Sequence, residues 1–387
     1  MNLKAVQETL REQGLDGWLF YDHHRRDPLA YRVLQLPLDL QPTRRWYYYI
    51  PAVGEPLALV HQIEPKTLDS LPGKIFSYSR WTEQIERLKD LIGEAKLIAM
   101  QYSPNCANPY VSMVDAGTIE LVRSFGIDIV SSADLMQLFE ARWTQSQLDS
   151  HLAAGRIMDR LRAEAFAFAC QRLDSGVTEW DVLSFLRERF TQEGLITDHG
   201  PIVAANANAS NPHYEPTSAL YTPIHPGDLL LIDMWAKLDA PYSVYYDITW
   251  TGVCGEIPAE VQKVFDVVTG ARNLAIKYVV DSVANGQPIH GYEIDDICRQ
   301  AIHVAGYGEY FIHRTGHSIG MDVHGAGANL DNFETHDERR IIPWTCFSIE
   351  PGIYLPHFGI RSEVNVFVGE TEAYVTGEIQ RQLVSLG

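Results

Sequence analysis

The alternation of apolar and polar positions divides the chain into two parts. Before about residue 140, short apolar runs alternate with helical periods, which predicts an α/β domain. Helices are predicted there at 2–13 and 84–91, and one more follows between Ser131 and Arg142. Strands are predicted at 18–21, 46–51, 57–61, 97–101 and 127–130. The pattern therefore predicts an N-terminal domain at 1–140 and a second domain at 141–387.

The second part begins with helices and ends with strands. Helical periods occur at 147–170, 178–193 and 258–282, and either Thr144 or Ser146 can cap the first of them. Strand patterns separated by glycine and proline follow. This order of elements predicts an α+β domain.

Two aspartates interrupt apolar strands that are predicted to form a hairpin. Asp233 lies in the run LLLIDM at 229–234, and Asp247 lies in YYDITWTGV at 245–253. Each is seven residues from Ala240, so a hairpin centred on Ala240 would place them opposite each other on one face. A buried aspartate is costly unless it is paired or bound to a cation.

A second predicted hairpin repeats the pattern with Glu350, at the end of strand 345–350, and Glu363, in strand 359–368. A single acid near a turn is usually solvated or caps a helix. Two hairpins with paired acids inside apolar strands instead favour a shared cation.

Three histidines, His313, His317 and His324, fall in one glycine-rich segment. Gly316 and Gly320 argue against a helix there and suggest that the backbone passes close to a metal site or a neighbouring strand. The alternative for each histidine, above all His313 and His324, is a buried, hydrogen-bonded side chain. One imidazole with four carboxylates is an oxygen-rich ligand set that suits Mn²⁺ best, with Co²⁺, Fe²⁺ or Zn²⁺ as alternatives.

These residues and their motifs resemble those of the pita-bread metallopeptidases, in the branch of aminopeptidase P and prolidase. The resemblance covers about 140 to 387, and residues 1–140 resemble the creatinase-type N-terminal domain of the same branch. It implies an α/β creatinase-type domain followed by an α+β pita-bread catalytic domain. The motifs that carry it are Asp233, Asp247, Gly316-His317-Ser318-Ile319-Gly320, Ile349-Glu350-Pro351-Gly352 and Arg361-Ser362-Glu363.

The resemblance implies two divalent metal ions. Asp247 and Glu363 would bridge both ions. Asp233 would complete the ligand set of one ion, and His317 and Glu350 would complete that of the other. A metal-bridged hydroxide would be the nucleophile, with Glu350 as its general base.

Four further residues match substrate-site positions of the family. His213 would line the substrate site, and His324 would stabilise the tetrahedral intermediate. His313 and Arg361 would line the pocket, where the arginine meets a substrate carboxylate or a ligating acid. Gly325 and Val364 stand where the family commonly has acids, and the two aspartates are fourteen positions apart, which exceeds the usual gap. These departures concern substrate preference rather than the metal ligands.

The implied activity is hydrolysis of the peptide bond before proline, by an Xaa-Pro aminopeptidase or dipeptidase that works as a homodimer. Its substrate would be a peptide with proline at the second position. One alternative is a metal-free amidinohydrolase of the creatinase type, which lacks the ligand set. A second is a non-catalytic binding protein on the same fold. A third is a methionine aminopeptidase, although that class usually lacks the α/β domain.

Charge and composition narrow the possible partners. The chain carries 31 Lys and Arg against 50 Asp and Glu, a formal net charge of −19, which disfavours nucleic acid and anionic membranes. Its five cysteines are scattered, as in reduced cytosolic proteins. The polar N-terminus argues against a signal peptide. The chain has no apolar run of about 18 residues, so no membrane span is predicted. We therefore expect a cytoplasmic protein.

Overall fold

The computed structural model describes residues 1–37 and 39–385, and the chain separates into two compact units, Met1–Glu140 and Ala141–Gly387. The first unit contains a mixed sheet with strand order β4-β3-β2-β1-β5-β6, in which β1 pairs parallel with β5 and antiparallel with β2. Its strands are β1 Gly17–Asp22, β2 Trp46–Pro51, β3 Leu57–His61, β4 Lys74–Tyr78, β5 Leu97–Met100 and β6 Asp128–Ser131. Its helices are α1 Leu3–Glu12, α2 Pro28–Leu34, α3 Trp81–Ile92, α4 Ala116–Arg123 and α5 Ala133–Met136.

The strands predicted for this unit are confirmed, and the sequence missed β4, α2 and α4. Strand β4 forms the sheet edge, where Ile75 and Phe76 are exposed, so it lacks the buried apolar signature of its neighbours. Helix α2 is short, and its N-terminal cap is a local hydrogen bond that the spacing of apolar residues does not reveal. The Asp27 carboxylate caps it by accepting a hydrogen bond from the Ala30 amide at 3.0 Å.

The second unit combines long helices with short sheets. Strands β17-β10-β9-β7 form one sheet, with β8 also paired to β9, while β11-β12-β15-β16 form a second and β13-β14 a separate hairpin. The helices are α6 Gln145–Cys170, α7 Glu179–Gln192, α8 Ala259–Ala284 and α9 Gly291–Val304. The strands are β7 Leu195–Ile196, β8 Ile202–Ala205, β9 Leu229–Leu238, β10 Tyr246–Val253, β11 Ser318–Ile319, β12 Thr345–Ile349, β13 Gly352–Leu355, β14 Phe358–Arg361, β15 Val364–Val368, β16 Ala373–Val375 and β17 Val384–Ser385.

The helices α6, α7 and α8 confirm the predicted helical stretches. Thr144, rather than Ser146, caps α6, and it forms a reciprocal capping box with Gln147. Thr178 caps α7 in the same way with Asp181. None of the helices in the described residues is both long and apolar enough to cross a membrane.

The two faces of β9 have different environments. Ile232 and Met234 pack in a core with Met158 and Phe166 of α6. The opposite face carries Leu231 and Trp235, which belong to the core that includes α8, β12 and β15. Asp233 lies between them on this second face, so an acid interrupts an otherwise apolar surface.

The predicted register of the first hairpin is wrong by two positions. Asp233 lies opposite Thr249, and Asp247 lies opposite Trp235. The sequence estimate assumed a turn centred on Ala240, but the last residues of β9 pair with β7 instead of β10. The connection between β9 and β10 is therefore longer than a simple turn and does not set the register. Asp233 and Asp247 still lie on one face as diagonal neighbours.

The second predicted hairpin is broken into two. Strand β12 pairs with β15, and the last pair of this ladder is Ile349 with Val364. Strand β13 pairs with β14. The predicted strand at 359–368 is therefore two strands, separated at Ser362 and Glu363. At this break the Glu363 amide donates to the Thr249 carbonyl of β10 at 3.0 Å.

The two glycines that flank the His317 segment have different surroundings. A Cβ atom on Gly316 would lie 1.9 Å from the Ser348 carbonyl oxygen, so the close backbone approach expected there is confirmed. A Cβ atom on Gly320 would meet nothing within 4 Å, but the Gly320 carbonyl accepts a hydrogen bond from the Tyr245 amide, next to β10, at 2.9 Å, so its backbone also passes close to a neighbouring strand.

We expect Gly316→Ala to lower the free energy of unfolding by about 2–4 kcal/mol, because the methyl group must push the backbone of β12 away. Gly320→Ala is the matched control, with an expected change within about 0.5 kcal/mol. Urea unfolding of both variants in the presence of EDTA measures the difference without a contribution from metal. Equal stability of the two variants would contradict the packing that the structure describes.

Candidate metal centre

Strands of two sheets supply the acids of the candidate site. Asp233 and Asp247 come from one face of β9 and β10. Glu350 follows β12 and Glu363 precedes β15, so they lie across the end of that strand pair from each other. The hydrogen bond from the Glu363 amide to the Thr249 carbonyl joins the two sheets at this point.

A compact group of ligand atoms forms where these elements meet. One ligand atom from each of Asp247, His317 and Glu363 lies within 4.8 Å of the others, and all three residues are buried. His317 Nε2 is 3.5 Å from Asp247 Oδ2 and 3.3 Å from Glu350 Oε1. Asp233 contacts the Arg361 guanidinium through Oδ2. The structure thus brings Asp247, His317 and Glu363 together, places Glu350 beside His317, and holds Asp233 against Arg361.

Two oxygens in this group have unmet bonding capacity. Asp247 Oδ1 and Glu363 Oε1 are buried, and neither has a hydrogen-bond partner among the described residues. A buried carboxylate oxygen without a partner is strongly unfavourable. A divalent cation would satisfy both oxygens, so the donor set fits a metal site.

The pKa shifts of these side chains also indicate a metal site. Burial, followed by the neighbouring Asp233 and Glu350 carboxylates, raises the pKa of Asp247 well above its usual value. Burial, followed by Asp247, does the same to the pKa of Glu363. Burial also lowers the pKa of His317 well below its usual value, which keeps the imidazole neutral and able to bind a metal. The surrounding protein therefore does little to stabilise the charged forms of Asp247 and Glu363, as expected of carboxylates that bind a cation.

Hydrogen bonds fix the orientation of these side chains. His317 Nδ1 lies 3.2 Å from the Ser318 carbonyl oxygen, which directs Nε2 toward the acids. The Ser348 hydroxyl accepts a hydrogen bond from the His317 amide at 3.0 Å and donates one to Glu350 Oε1 at 3.2 Å. The Asn365 amide side chain bonds both backbone polar groups of Asp247, at 3.2 and 2.6 Å.

A hydrogen-bonded chain runs from His313 to Asp233. The Tyr354 hydroxyl lies 2.7 Å from His313 Nε2 and accepts from Arg361 Nη1 at 3.0 Å. Arg361 in turn contacts Asp233. Burial, followed by the Arg361 charge, lowers the pKa of His313 to about 3. His313 is therefore a neutral, hydrogen-bonded side chain that supports Arg361.

The remaining two predicted histidines lie in different surroundings. The His324 ring packs nearly perpendicular to the His317 ring, with 4.4 Å between centroids. Part of His324 is open to solvent, yet the surrounding protein atoms lower its pKa to about 4 through desolvation. His213 is exposed, and its amide is bonded to the Asn211 side chain at 3.1 Å. The structure brings His324 to the ligand group and leaves His213 on an exposed loop.

Three residues that the sequence analysis did not assign border this site. The Thr249 hydroxyl accepts from Arg361 Nε at 3.1 Å and donates to Glu363 Oε2 at 2.8 Å. The Trp235 indole donates to Asp198 Oδ1 at 2.8 Å. Because Thr249 and Trp235 are each two positions from an aspartate on the same strand, period-two spacing could have identified them. No local signal points to Asp198.

We expect Asp247→Asn to bind less metal than the wild type, because it removes one of the charged ligands. Metal-free Asp247→Asn should be at least as stable as the metal-free wild type, since the amide keeps the shape and removes a buried charge. Adding Mn²⁺ should then stabilise the wild type but not the variant. Metal analysis and urea unfolding with and without EDTA measure these effects.

The control for this experiment is Asp239→Asn, which changes an exposed acid in the β9–β10 connection and should leave both readouts unchanged. Wild-type metal content in Asp247→Asn would contradict the assignment of Asp247 as a ligand.

Comparison with curated proteins identifies several similar peptidases. The chain is 34% identical over 223 residues to the Xaa-Pro dipeptidase of Lactobacillus delbrueckii subsp. lactis, which covers 57% of this chain and 55% of that protein. It is 27% identical over 274 residues to a probable dipeptidase, PepE, of Mycobacterium tuberculosis, covering 70% of this chain and 68% of that protein. The matched region thus spans little more than half the length of the first of these relatives.

Comparison with solved structures extends the likeness to both units. The dipeptidase PepE from Mycobacterium ulcerans superposes with a TM-score of 0.76 at 23% identity, covering 99% of this chain and 96% of that chain. A dipeptidase from Pyrococcus horikoshii OT3 gives a TM-score of 0.70 at 25% identity, and both chains are covered completely. The chain therefore has an α/β unit followed by a pita-bread unit.

The family model for metallopeptidase family M24 matches residues 150–370, which is more than half of the chain and includes the ligand group. Enzymes of this family depend on divalent metal ions, in agreement with the partnerless carboxylate oxygens of the site. The chain belongs to metallopeptidase family M24.

Proposed function

We propose that this protein hydrolyses the peptide bond before proline, as an Xaa-Pro dipeptidase or aminopeptidase that uses two divalent metal ions. Mn²⁺ is the ion that suits the ligand set best. The observation that carries the proposal is the buried group of Asp247, His317 and Glu363, in which one oxygen of each carboxylate has no hydrogen-bond partner among the described residues. The Xaa-Pro dipeptidase name of the Lactobacillus relative supports the choice of substrate. Co²⁺, Fe²⁺ and Zn²⁺ are the alternative metals for this ligand set.

The ligands in this proposal are Asp233, Asp247, His317, Glu350 and Glu363. When bound, the ions polarise the substrate carbonyl and make a coordinated water more acidic. Glu350 is oriented by Ser348 and offers a carboxylate oxygen that can accept a proton from the attacking water. His324 is partly open to solvent beside His317, and its neutral imidazole can donate a hydrogen bond to the developing oxyanion.

Arg361 has two possible partners in this proposal, a substrate carboxylate or a ligating acid, and its contacts favour the acid. Its guanidinium contacts Asp233 and bonds Thr249 and Tyr354 at the same time. His313 supports it through Tyr354. In this proposal Arg361 holds the ligand geometry, and His213 contributes to substrate binding from its exposed loop.

Three further proposals concern the whole molecule. We propose that residues 1–140 form a creatinase-type domain and residues 141–387 the catalytic domain, which the structural likeness over nearly the whole chain supports. A homodimer and a cytoplasmic location remain predictions from the resemblance and from the composition.

Activity assays on the metal-depleted enzyme test the proposed function. We expect hydrolysis of Xaa-Pro dipeptides or longer Xaa-Pro peptides to return when Mn²⁺ is added, with Co²⁺ and Zn²⁺ tested separately. Matched Xaa-Ala peptides should be poorer substrates, and creatine tests the amidinohydrolase alternative. A metal-loaded enzyme that cleaves no Xaa-Pro bond would refute the proposal.

We expect Thr249→Val to lower kcat about 10- to 100-fold, because the isosteric change removes the hydroxyl that links Arg361 to Glu363. Thr249→Ser keeps the hydroxyl and should restore most of the rate. Steady-state kinetics with measured metal content separates lost orientation from lost metal. If the valine and serine variants were equally active, the hydroxyl would have no positioning role.

A further inference from the structure

Two cysteines lie side by side away from the candidate metal centre. Cys170 is the last residue of α6, and Cys254 directly follows β10. Their Sγ atoms are 3.3 Å apart, and both thiols are free. Nothing in the proposed peptidase chemistry uses either side chain.

The local packing holds the two thiols together. Gly252 lets α6 lie close to β10, because a Cβ atom on Gly252 would be 2.8 Å from the Phe166 ring. The Cys254 backbone is fixed at both of its polar groups, since its amide donates to the Asp228 carbonyl at 2.9 Å and its carbonyl accepts from the Gly227 amide at 2.6 Å. Cys170 lies at a helix end, where side-chain rotation and slight fraying meet the least resistance.

The pair can be reached from solvent on one side. Cys254 is buried, whereas Cys170 is partly exposed, so a small oxidant can approach Cys170 first. Burial is the main cause that raises the pKa of both thiols, which keeps them protonated at neutral pH and makes oxidation slow. A disulfide bond needs about 2.05 Å between sulfurs, so the remaining gap is about 1.3 Å.

We propose that Cys170 and Cys254 are an oxidisable dithiol that reacts with low-molecular-weight disulfides and closes to an intramolecular disulfide joining α6 to the end of β10. The Cys170 thiolate attacks the small disulfide, forms a mixed disulfide and releases one small thiol. The Cys254 thiolate then attacks Cys170 Sγ, and the second small thiol leaves. Each cysteine loses one proton, and the small disulfide receives the two electrons.

The cross-link closes a long segment of the chain. Cys170 and Cys254 are 84 positions apart, and a link over such a distance restricts the unfolded chain strongly. It joins the helix that covers one face of the sheet to the strand that carries Asp247, without involving a residue of the ligand group. The oxidised protein should therefore be more heat-stable and keep its metal content.

Treatment of the full-length Cys106→Ser protein with oxidised glutathione tests this proposal, because that background removes the exposed Cys106 thiol. We expect two of the four remaining thiols to become unavailable for alkylation after unfolding, with a Cys170–Cys254 peptide seen by mass spectrometry. The melting temperature should rise by about 5–15 °C and return to its starting value after reduction.

The Cys170→Ser variant in the same background is the control and should show no cross-link and no rise in melting temperature. Cys298→Ser is a second control, since it removes a buried thiol elsewhere and should leave the cross-link intact. Glutathione adducts on Cys170 without the cross-linked peptide, or retention of both free thiols, would overturn the proposal. These readouts do not depend on peptidase activity, so they are separate from the test of the proposed function.

Discussion

Buried negative charge without sufficient compensation is the constraint on which the second unit depends. Asp233 has Arg361 as its partner, whereas Asp247 and Glu363 each retain one buried oxygen without a partner in the described residues. Each such polar group destabilises the fold by about 1–3 kcal/mol, and a charged group by more. Divalent cations bound at this site would supply the missing partners.

The neighbouring residues keep the ligand group from relaxing to a less strained arrangement. Asn365 holds the backbone of Asp247, and Ser348 connects the His317 backbone to Glu350. Thr249 connects Arg361 to Glu363. If these contacts were absent, the acids could rotate toward solvent and lower the repulsion. The surrounding hydrogen bonds therefore contribute to metal binding by holding the ligands in place.

The break between β14 and β15 is what allows two sheets to share one site. Arg272 is fully buried in α8, and it donates to the Ser362 hydroxyl at 2.5 Å and to the Gln380 carbonyl at 2.8 Å. This contact anchors the chain at the break, and the Glu363 amide can then bond β10 instead of continuing a strand. Periodicity in the sequence predicted one continuous strand here, because the contacts that interrupt it come from residues about 90 positions away or more.

The sequence predicted correctly that Asp233 and Asp247 share one face, but not how their strands pair, and the alternation of side chains along a strand explains why. Side chains alternate between the faces of a strand, so a shift of one position would have moved Asp247 to the opposite face. The observed register differs from the predicted one by two positions, because Thr249 rather than Asp247 lies opposite Asp233. A shift of two positions leaves both aspartates on the same face. The residues beside a buried acid in an apolar strand indicate which face it lies on, whereas no local pattern indicates that the last residues of β9 pair with β7. Period-two patterns therefore identify which side chains can meet at a metal centre, even where they cannot fix how the strands align.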